Sequence, residues 1–339
     1  IISFVVLLVA TMFMVWFERK VIAGMQNRIG PNKAGPFGLL QTLADGTKLF
    51  FKEDIIPTAS NKWLFILGPG LAMTTAMMTG AVIPWGGTLE VFGRQVSLQI
   101  ADVNIGILFI FGVVSMGVYG IMIGGWASNN KFSLMAAVRG ASQIISYELP
   151  MGLSLIALLM LTGSLSMKTI VEQQMQGGLG GLLGWNIFYQ PLGFLLFIVC
   201  AFAECNRTPF DLPEAENELN FGYHLEYSSM KLGFYLFAEY VNMFISSTVM
   251  ATLFFGGYDI PFVNEASLAH HIGVNTVALL GTFTLLIKSG FFLFVFIWVR
   301  WTIPRFRYDQ LMNLGWKKMI PLALINMVIT GAVVLWLNK

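Results

Sequence analysis

Long apolar runs separated by shorter polar stretches make up most of the chain. They fall near residues 1–22, 63–84, 103–124, 136–162, 190–203, 230–255, 275–299 and 320–337. A helix needs about 20 apolar residues to cross a bilayer, and every run except the fifth reaches or approaches that length. The sequence leaves open whether the fifth run extends outward through Trp185. The pattern predicts an all-α, polytopic transmembrane helix bundle with about eight spans.

Composition agrees with that pattern. With 56% hydrophobic and 11% charged residues and a mean hydropathy of +0.72, the chain lies outside the range of soluble domains. Residues 1–17 of the first run are apolar, and Glu18, Arg19 and Lys20 come after them instead of before them, which favours an uncleaved span over a signal peptide. The chain does not begin with Met, so we expect a few residues to precede Ile1.

Basic residues are sorted between alternate loops. Segments 18–62, 125–139, 204–231 and 300–318 contain 16 of the 20 Lys and Arg residues; the others are Arg94, Lys168, Lys339 and, within a span, Lys288. Because cytoplasmic loops carry an excess of Lys and Arg, these four segments are predicted to be cytoplasmic. Both termini should then lie outside, on the periplasmic side of a bacterial inner membrane. The net charge of +2 therefore indicates no nucleic-acid partner.

One predicted cytoplasmic loop, residues 204–229, is acidic where a basic loop is expected. Its carboxylates surround a single fixed positive charge, Arg207, and are Glu204, Asp211, Glu214, Glu216, Glu218 and Glu226. Carboxylates this close cannot all ionise without cost, so their titrations should be coupled. Such a cluster could hold and pass protons, although an exposed acidic loop is the alternative.

Asp211 also has a structural interpretation. The sequence Asp211-Leu212-Pro213-Glu214 is typical of a helix start, with Asp as the N-cap, Pro in the first turn and Glu reaching back. This pattern predicts a helix beginning at Asp211.

The first cytoplasmic loop contains an amphipathic segment, residues 37–53. Its polar positions recur at helical spacing and are Gln41, Asp45, Lys48 and Lys52. Such a helix should lie along the membrane surface with its apolar side in the acyl boundary. It could be a plain interfacial anchor, or its polar residues Asp45 and Lys48, with Arg28, could face a protein cavity.

Three ionisable residues lie well inside predicted spans, away from their ends, and each costs roughly 2.5 to 3.5 kcal/mol at mid-helix. They are Glu148, Glu239 and Lys288. A stripe of Arg139, Gln143 and Tyr147 leads towards Glu148, and Pro150 should loosen that helix. One Glu could form a structural salt bridge with Lys288, whereas two carboxylates in different helices favour a proton path.

Other motifs carry less chemistry. The glycines of the third run, including Gly112, Gly120 and Gly124, indicate helix packing. Cys200 and Cys205 are too few for an iron-sulfur cluster, and the three histidines have no zinc spacing. We therefore expect no metal, flavin or iron-sulfur cluster in this chain.

Several long motifs resemble one family, the H-type membrane subunit of respiratory complex I, which is subunit 1 in mitochondria. They are Glu18-Arg19-Lys20, QNRIGPNKAGPFGLLQTLADGTKLFFKE (26–53), ISYE (145–148), AECNRTPFDLPEAENEL (203–219), Glu226-Tyr227, Glu239-Tyr240 and RWTIPRFRYDQLMNLGWK (300–317). The resemblance runs nearly end to end. It implies a subunit of the proton-translocating NADH:quinone oxidoreductase, an enzyme of the respiratory electron-transport chain.

The resemblance also implies roles for particular residues. Arg28, Phe37, Asp45, Lys48 and Arg207 would lie near the quinone chamber and its entrance. The acidic loop would face that chamber, and Glu226, Glu148 and Glu239 would continue a proton path inward. Lys288 is an intramembrane cation by its position in a predicted span, not by the resemblance. The last cytoplasmic loop would contact the peripheral arm through Arg300, Arg305, Arg307 and Asp309.

The implied substrate is a quinone, either ubiquinone or menaquinone. The implied partners are the peripheral quinone-site and iron-sulfur subunits, the neighbouring membrane-arm subunits and lipid. Two alternatives stay open: the related ion-translocating subunit of a membrane-bound hydrogenase, and a stand-alone proton-coupled transporter. The quinone motif in residues 26–53 argues against the first, and the lack of a convincing inverted repeat argues against the second.

Overall fold

The computed structural model describes residues 2–176, 184–263, 268 and 271–337. Ile1 and Lys339 lie outside these ranges. Within them, five helices are long and apolar enough to cross a membrane, and a sixth, Pro191–Glu204, is apolar but shorter; the five are Gly106–Ala127, Lys131–Thr162, Ser229–Phe254, Val274–Thr302 and Tyr308–Leu337. This architecture confirms the predicted polytopic helical bundle.

A helix overlaps each of the eight predicted runs. In chain order the helices are α1 Ile2–Met25, α2 Gln41–Phe51, α3 Lys62–Thr79, α4 Gly106–Ala127, α5 Lys131–Thr162, α6 Met167–Met175, α7 Asn186–Tyr189, α8 Pro191–Glu204, α9 Glu216–Leu219, α10 Ser229–Phe254, α11 Val274–Thr302, α12 Tyr308–Leu314 and α13 Ile320–Leu337. A π-helical turn, Gly315–Met319, joins α12 to α13. That all eight runs cross the membrane stays a prediction.

Local signals place several helix ends. The side chain of Asn61 accepts hydrogen bonds from the backbone N–H groups of Trp63 and Leu64 and so caps α3. Asn130 caps α5 in the same way, and Gly163, with φ of 65°, ends it. Because free N–H groups at a helix start need acceptors, Asn is favoured at such positions. Helix α5 continues through Pro150 without a break, so the expected loosening there leaves the helix intact.

Two short elements differ from the expected ones. The fifth run does not extend through Trp185 as one helix, because Gln190, with φ of −131°, separates α7 from α8. The surface helix is shorter than residues 37–53: it begins at Gln41, after a 3₁₀ turn at Pro36–Gly38 in which Phe37 has a φ of 55°.

A β-hairpin that the hydrophobic pattern did not predict lies between α3 and α4. Strands β1 (Thr88–Val91) and β2 (Arg94–Ser97) are antiparallel, with Thr88 opposite Ser97. Phe92 and Gly93 form the two-residue turn, and both have positive φ, 52° and 74°. Such turns match the twist of the strands, so the Phe-Gly pair was the available sequence signal.

Helices α3 and α4 pack closely, and the packing positions the site. A side chain at Gly120 would overlap the backbone of Ala72, and one at Gly68 would overlap the hydroxyl of Tyr235 and the backbone of Gly124. Glycine is needed at such contacts because it lets helix backbones approach. Gly120 and Gly124 of the third run are therefore packing positions, and α10 enters the contact through Tyr235. The prediction is wrong for Gly112, where a Cβ would meet nothing within 4 Å.

Candidate functional site: a cluster of buried carboxylates and arginines

A cavity of about 100 Å³ lies between α3, α4, α5, α8 and α10. Most of its wall is apolar, but three carboxylates line it: Glu204 at the end of α8, Glu214 in the loop after α8, and Glu239 in α10. Carboxylates from two helices and the loop between them thus line one cavity. Carboxylates in such surroundings bind and release protons at pH values far from those at which they titrate in water.

Arg207 is the central positive charge of this site. Its side chain is only 2% exposed, and its Nε lies 2.7 Å from Oε1 of Glu239. Its Nη1 lies 3.2 Å from Oε1 of Glu18, and its guanidinium packs 4.6 Å from the ring of Tyr240. Arg300 reaches the same Glu18 oxygen at 2.9 Å. Buried charges persist only when they are paired, and this cluster pairs two arginines with two glutamates.

The electrostatics of the loop follow from this burial. Burial and the charges of Glu239 and Asp211 raise the pKa of Glu214 well above its usual range, and Arg207 offsets only part of that shift. For Arg207 itself, burial lowers the pKa, but Glu239 and Glu18 raise it well above its ordinary value. Glu214 therefore favours its protonated form beside a guanidinium that stays charged.

Glu148 is held by a different neighbour. Ser115 in α4 donates a hydrogen bond from its Oγ to Oε1 of Glu148 in α5. Glu148 and Glu204 lie near enough to influence each other electrostatically. Glu148 thus lies on α5, the helix that contributes Ile144 and Met151 to the cavity wall.

The remaining acids of the loop lie towards its edge. Glu218 pairs with Nη1 of Arg139 at 3.0 Å and is about half exposed, and Glu226 accepts a hydrogen bond from Nδ2 of Asn130 at 2.7 Å. Asp211 pairs with Nη2 of Arg305 at 3.4 Å. Glu216 begins α9, and the described part of the structure does not include its side chain.

The helix start predicted at Asp211 is wrong. Helix α9 begins at Glu216 after Ala215, and residues 211–215 form a turn in which the Asp211 carbonyl accepts from the Ala215 N–H. The physical reason is that the Asp211 carboxylate pairs with Arg305, so it binds another loop instead of capping its own chain.

The polar residues of α5 contact both the acidic loop and the helix α12. Arg139 pairs with Glu218. Nε2 of Gln143 donates to the carbonyl oxygens of Ala203 at 2.9 Å and Phe210 at 2.8 Å. The Tyr147 hydroxyl donates to the carbonyl of Leu311. Arg139 and Gln143 thus hold the acidic loop against α5, and Tyr147 holds α12 against it.

The residues predicted near a quinone entrance lie around α2. Asp45 pairs with Nη1 of Arg19 at 2.6 Å, and Lys48 is exposed. Arg28 is exposed and donates to Gln26. Phe37 is 74% exposed, and its carbonyl accepts from Nε1 of Trp16. These side chains form a surface at α1 and α2, separate from the carboxylate cavity.

Lys288 has a structural position. Its Nζ donates to the carbonyl oxygens of Phe255 at 2.7 Å, Gly257 at 2.9 Å and Asp259 at 2.7 Å. It also lies 4.7 Å from the ring of Trp185. Lys288 therefore caps the end of α10, and Glu239, the buried acid in that helix, is paired with Arg207.

The last loop is divided between the interior and the surface. Arg300 and Arg305 turn inward to Glu18 and Asp211, whereas Arg307 and Asp309 pair with each other at 3.3 Å and are mostly exposed. Of these four residues, Arg307 and Asp309 are the ones available to a neighbouring chain.

Glu18 is the residue that sequence reasoning missed. It was treated as a flanking charge because the apolar run ends at Phe17, yet α1 continues to Met25 and Glu18 is 3% exposed. The available signal was the apolar stretch Val21–Ala23, which resumes after Lys20 and places Glu18 inside a helix. Among the described residues, no three His, Cys, Asp or Glu side chains lie close enough to hold a metal ion.

Comparison with known proteins identifies the family. A family profile described as NADH dehydrogenase matches residues 1–331. An H-type subunit of the NADH-quinone oxidoreductase of Cytophaga hutchinsonii is 64% identical over 332 residues, covering 98% of this chain and 94% of the relative. The chain belongs to the NADH dehydrogenase family.

Two further members of this family show similar coverage. The H-type subunit of the Flavobacterium johnsoniae oxidoreductase is 61% identical and covers 99% of this chain and 93% of its own length. The H-type subunit of the Thermomicrobium roseum oxidoreductase is 49% identical and covers 98% of this chain and 93% of its own length. The resemblance found in the motifs is thus confirmed: the chain is a membrane subunit of the complex I type, part of an enzyme complex whose other subunits are its partners. A bacterial inner membrane fits this assignment.

Proposed function

We propose that this chain forms part of the quinone chamber of NADH:quinone oxidoreductase and links quinone reduction to proton translocation. The observation that carries the proposal is the cavity shared by Glu204, Glu214 and Glu239, beside the buried Arg207. Quinone reduction takes up protons and changes the charge near the acidic loop. Acids with raised pKa values can bind or release a proton when the charge near them changes.

The path would run through carboxylates of the loop, α5 and α10. Glu218 and Glu226 lie at the edge of the loop, Glu148 lies on α5, and Glu239 pairs with Arg207. Protons, or an electrostatic signal carried by their movement, would pass from the edge to Glu239. Arg28, Phe37, Asp45 and Lys48 would form the entrance of the quinone chamber at α1 and α2.

The variants Glu148→Gln and Glu239→Gln test this path. Each keeps the size of the side chain but removes the exchangeable proton, so proton translocation in vesicles should fall about 100-fold or more, the contribution typical of positioned proton-transfer groups. The measurement is the rate of proton translocation, and the number of protons per electron, with NADH as donor.

Glu172→Gln provides the matched control, because Glu172 is exposed on α6 and should leave the rate unchanged. Fully assembled Glu148 and Glu239 variants that translocate protons at the unmodified rate and ratio would refute the path. Quinone absent from the purified complex would refute the chamber and favour the hydrogenase-type alternative.

A further inference from the structure

Two glutamates and two arginines form a buried cluster where α1, α10, α11 and the acidic loop meet. Glu18 of α1 is 3% exposed and Arg207 of the loop 2%. The side chains of Glu239 in α10 and Arg300 in α11 are 13% and 26% exposed. Four charges from four separate segments of the chain thus lie in one place, and each depends on the others for compensation.

Glu18 accepts the hydrogen bonds of this cluster. Nη1 of Arg207 donates to its Oε1 at 3.2 Å and to its Oε2 at 3.4 Å. Nη1 of Arg300 donates to the same Oε1 at 2.9 Å. Hydrogen bonds between two ionised groups are roughly twice as strong as neutral ones. Two guanidinium groups thus hold the Glu18 carboxylate in place.

Glu239 has a different kind of contact with the same arginine. Its Oε1 lies 2.7 Å from Nε of Arg207, but neither atom forms an aligned hydrogen bond with a described residue. Of the two glutamates, only Glu239 lines the cavity. Glu239 is therefore the carboxylate placed to exchange a proton with the cavity, whereas Glu18 is bound by both arginines.

The charges of the cluster balance only when both glutamates are ionised. Two arginines and two carboxylates then sum to zero, and a proton on Glu239 leaves a net charge of +1. Without the charge of Glu18, the same two states would carry +1 and +2. Because uncompensated charge is costly in a buried site, proton binding at Glu239 would then be opposed.

We propose that Glu18 is the fixed counter-charge that allows Glu239 to bind and release a proton. Glu18 itself transfers no proton. It compensates one of the two guanidinium charges permanently, so that a proton arriving at Glu239 meets a single positive charge. This role rests on the proposed function, in which Glu239 exchanges protons, and it makes Glu18 a positioning residue outside the carboxylate path.

Charge-changing variants of the assembled complex test this role. Glu18→Gln leaves an extra positive charge, so proton translocation in vesicles should fall about tenfold or more, because a neighbouring charge changes the proton affinity of a carboxyl group about tenfold to thousandfold. Arg300→Gln leaves an extra negative charge and should also slow translocation, because Glu239 then releases its proton less readily. The double variant Glu18→Gln/Arg300→Gln restores the balance and should be faster than either single variant.

A purely structural role predicts the opposite order. The double variant lacks the side-chain charges of both residues, so it should then be at least as slow as the slower single variant. Glu172→Gln and Arg94→Gln are matched controls, because both side chains are exposed. The amount of assembled complex on native gels is measured for every variant, so that a loss of assembly is not counted as a loss of translocation.

The outcomes separate the counter-charge from the proposed function. Unchanged translocation in Glu18→Gln, with a loss in Glu239→Gln, would overturn the counter-charge and leave the carboxylate path standing, as would a double variant no faster than the single ones. Unchanged translocation in Glu239→Gln would overturn both. If the double variant fails to assemble, Glu18→Asp gives the test: it keeps the charge but shortens the side chain, so it should be faster than Glu18→Gln, and the reverse order would assign Glu18 a purely structural role.

Discussion

At the scale of single residues, the site depends on which charges are buried together. Glu18 and Glu239 compensate Arg207, and Arg300 shares Glu18. Breaking one partner of a buried ion pair is costly because the other charge loses its compensation. Glu18 is thus a supporting residue for the carboxylate that the proton path needs, since it helps to fix the guanidinium that contacts Glu239.

His224 makes the stability of the loop depend on pH. It is 1% exposed, and burial lowers its pKa to about 4 from 6.5. Because the folded-state pKa is below the unfolded one, its contribution to stability is present above about pH 6.5 and is lost as the pH falls towards 4. As the pH falls from 6.5 to 4, the midpoint of thermal unfolding should fall less steeply in His224→Phe than in the unmodified protein. The difference corresponds to at most about 3 kcal/mol in the free energy of unfolding.

The same measurement contains its own control. Above about pH 7.5 the imidazole is neutral in both the folded and the unfolded state, so the two curves should run parallel there. Glu214 acts in the opposite direction, because its raised pKa favours the folded state at low pH, and it is present in both proteins. Equal slopes below pH 6.5 would show that His224 charges without unfolding the loop.

At the scale of elements, apolar runs and caps predicted the helices. Contacts between distant segments decided where α9 begins and what the polar residues of α5 contact. Residues 211–214 have the pattern of a helix start, yet Arg305 takes the Asp211 carboxylate. The stripe of α5 was found from its spacing, but its partners in the acidic loop were not visible in the sequence. Helical spacing predicts which side chains share a face, and only tertiary contacts decide what that face meets.

The contact between α3, α4 and α10 gives a prediction at this scale. In Gly124→Ala the new Cβ would overlap the Tyr235 hydroxyl, so the helices must separate, at a cost of about 1 to 3 kcal/mol in the free energy of unfolding. In Gly112→Ala on the same helix, nothing lies within 4 Å of the new Cβ. That variant should be neutral or up to about 1 kcal/mol more stable, because alanine favours helix.

Thermal unfolding of the two variants, measured side by side, checks this difference. Similar midpoints for Gly124→Ala and Gly112→Ala would mean that α3, α4 and α10 are not in close contact at Tyr235.

At the scale of the whole molecule, the distribution of charge predicts a direction across the membrane. The acidic loop, α2 and the last loop lie in the four segments that together contain 16 of the 20 Lys and Arg residues, whereas the hairpin of β1 and β2 lies in the alternate set. A proton path from Glu226 to Glu239 begins on the cytoplasmic side only if this orientation holds. Topology is therefore the premise for assigning a direction to proton movement.

Labelling of single cysteines tests that orientation. Gln95→Cys, in the exposed strand β2, should react with a membrane-impermeant maleimide added outside intact cells, and Lys33→Cys, also exposed, should react only after the membrane is opened. The native Cys200 and Cys205 are 0% and 2% exposed, so the unmodified chain should give little background. Labelling of Lys33→Cys from outside would invert the topology. The carboxylates would then take up protons from the periplasm, and the link to quinone reduction by a cytoplasmic peripheral arm would fail.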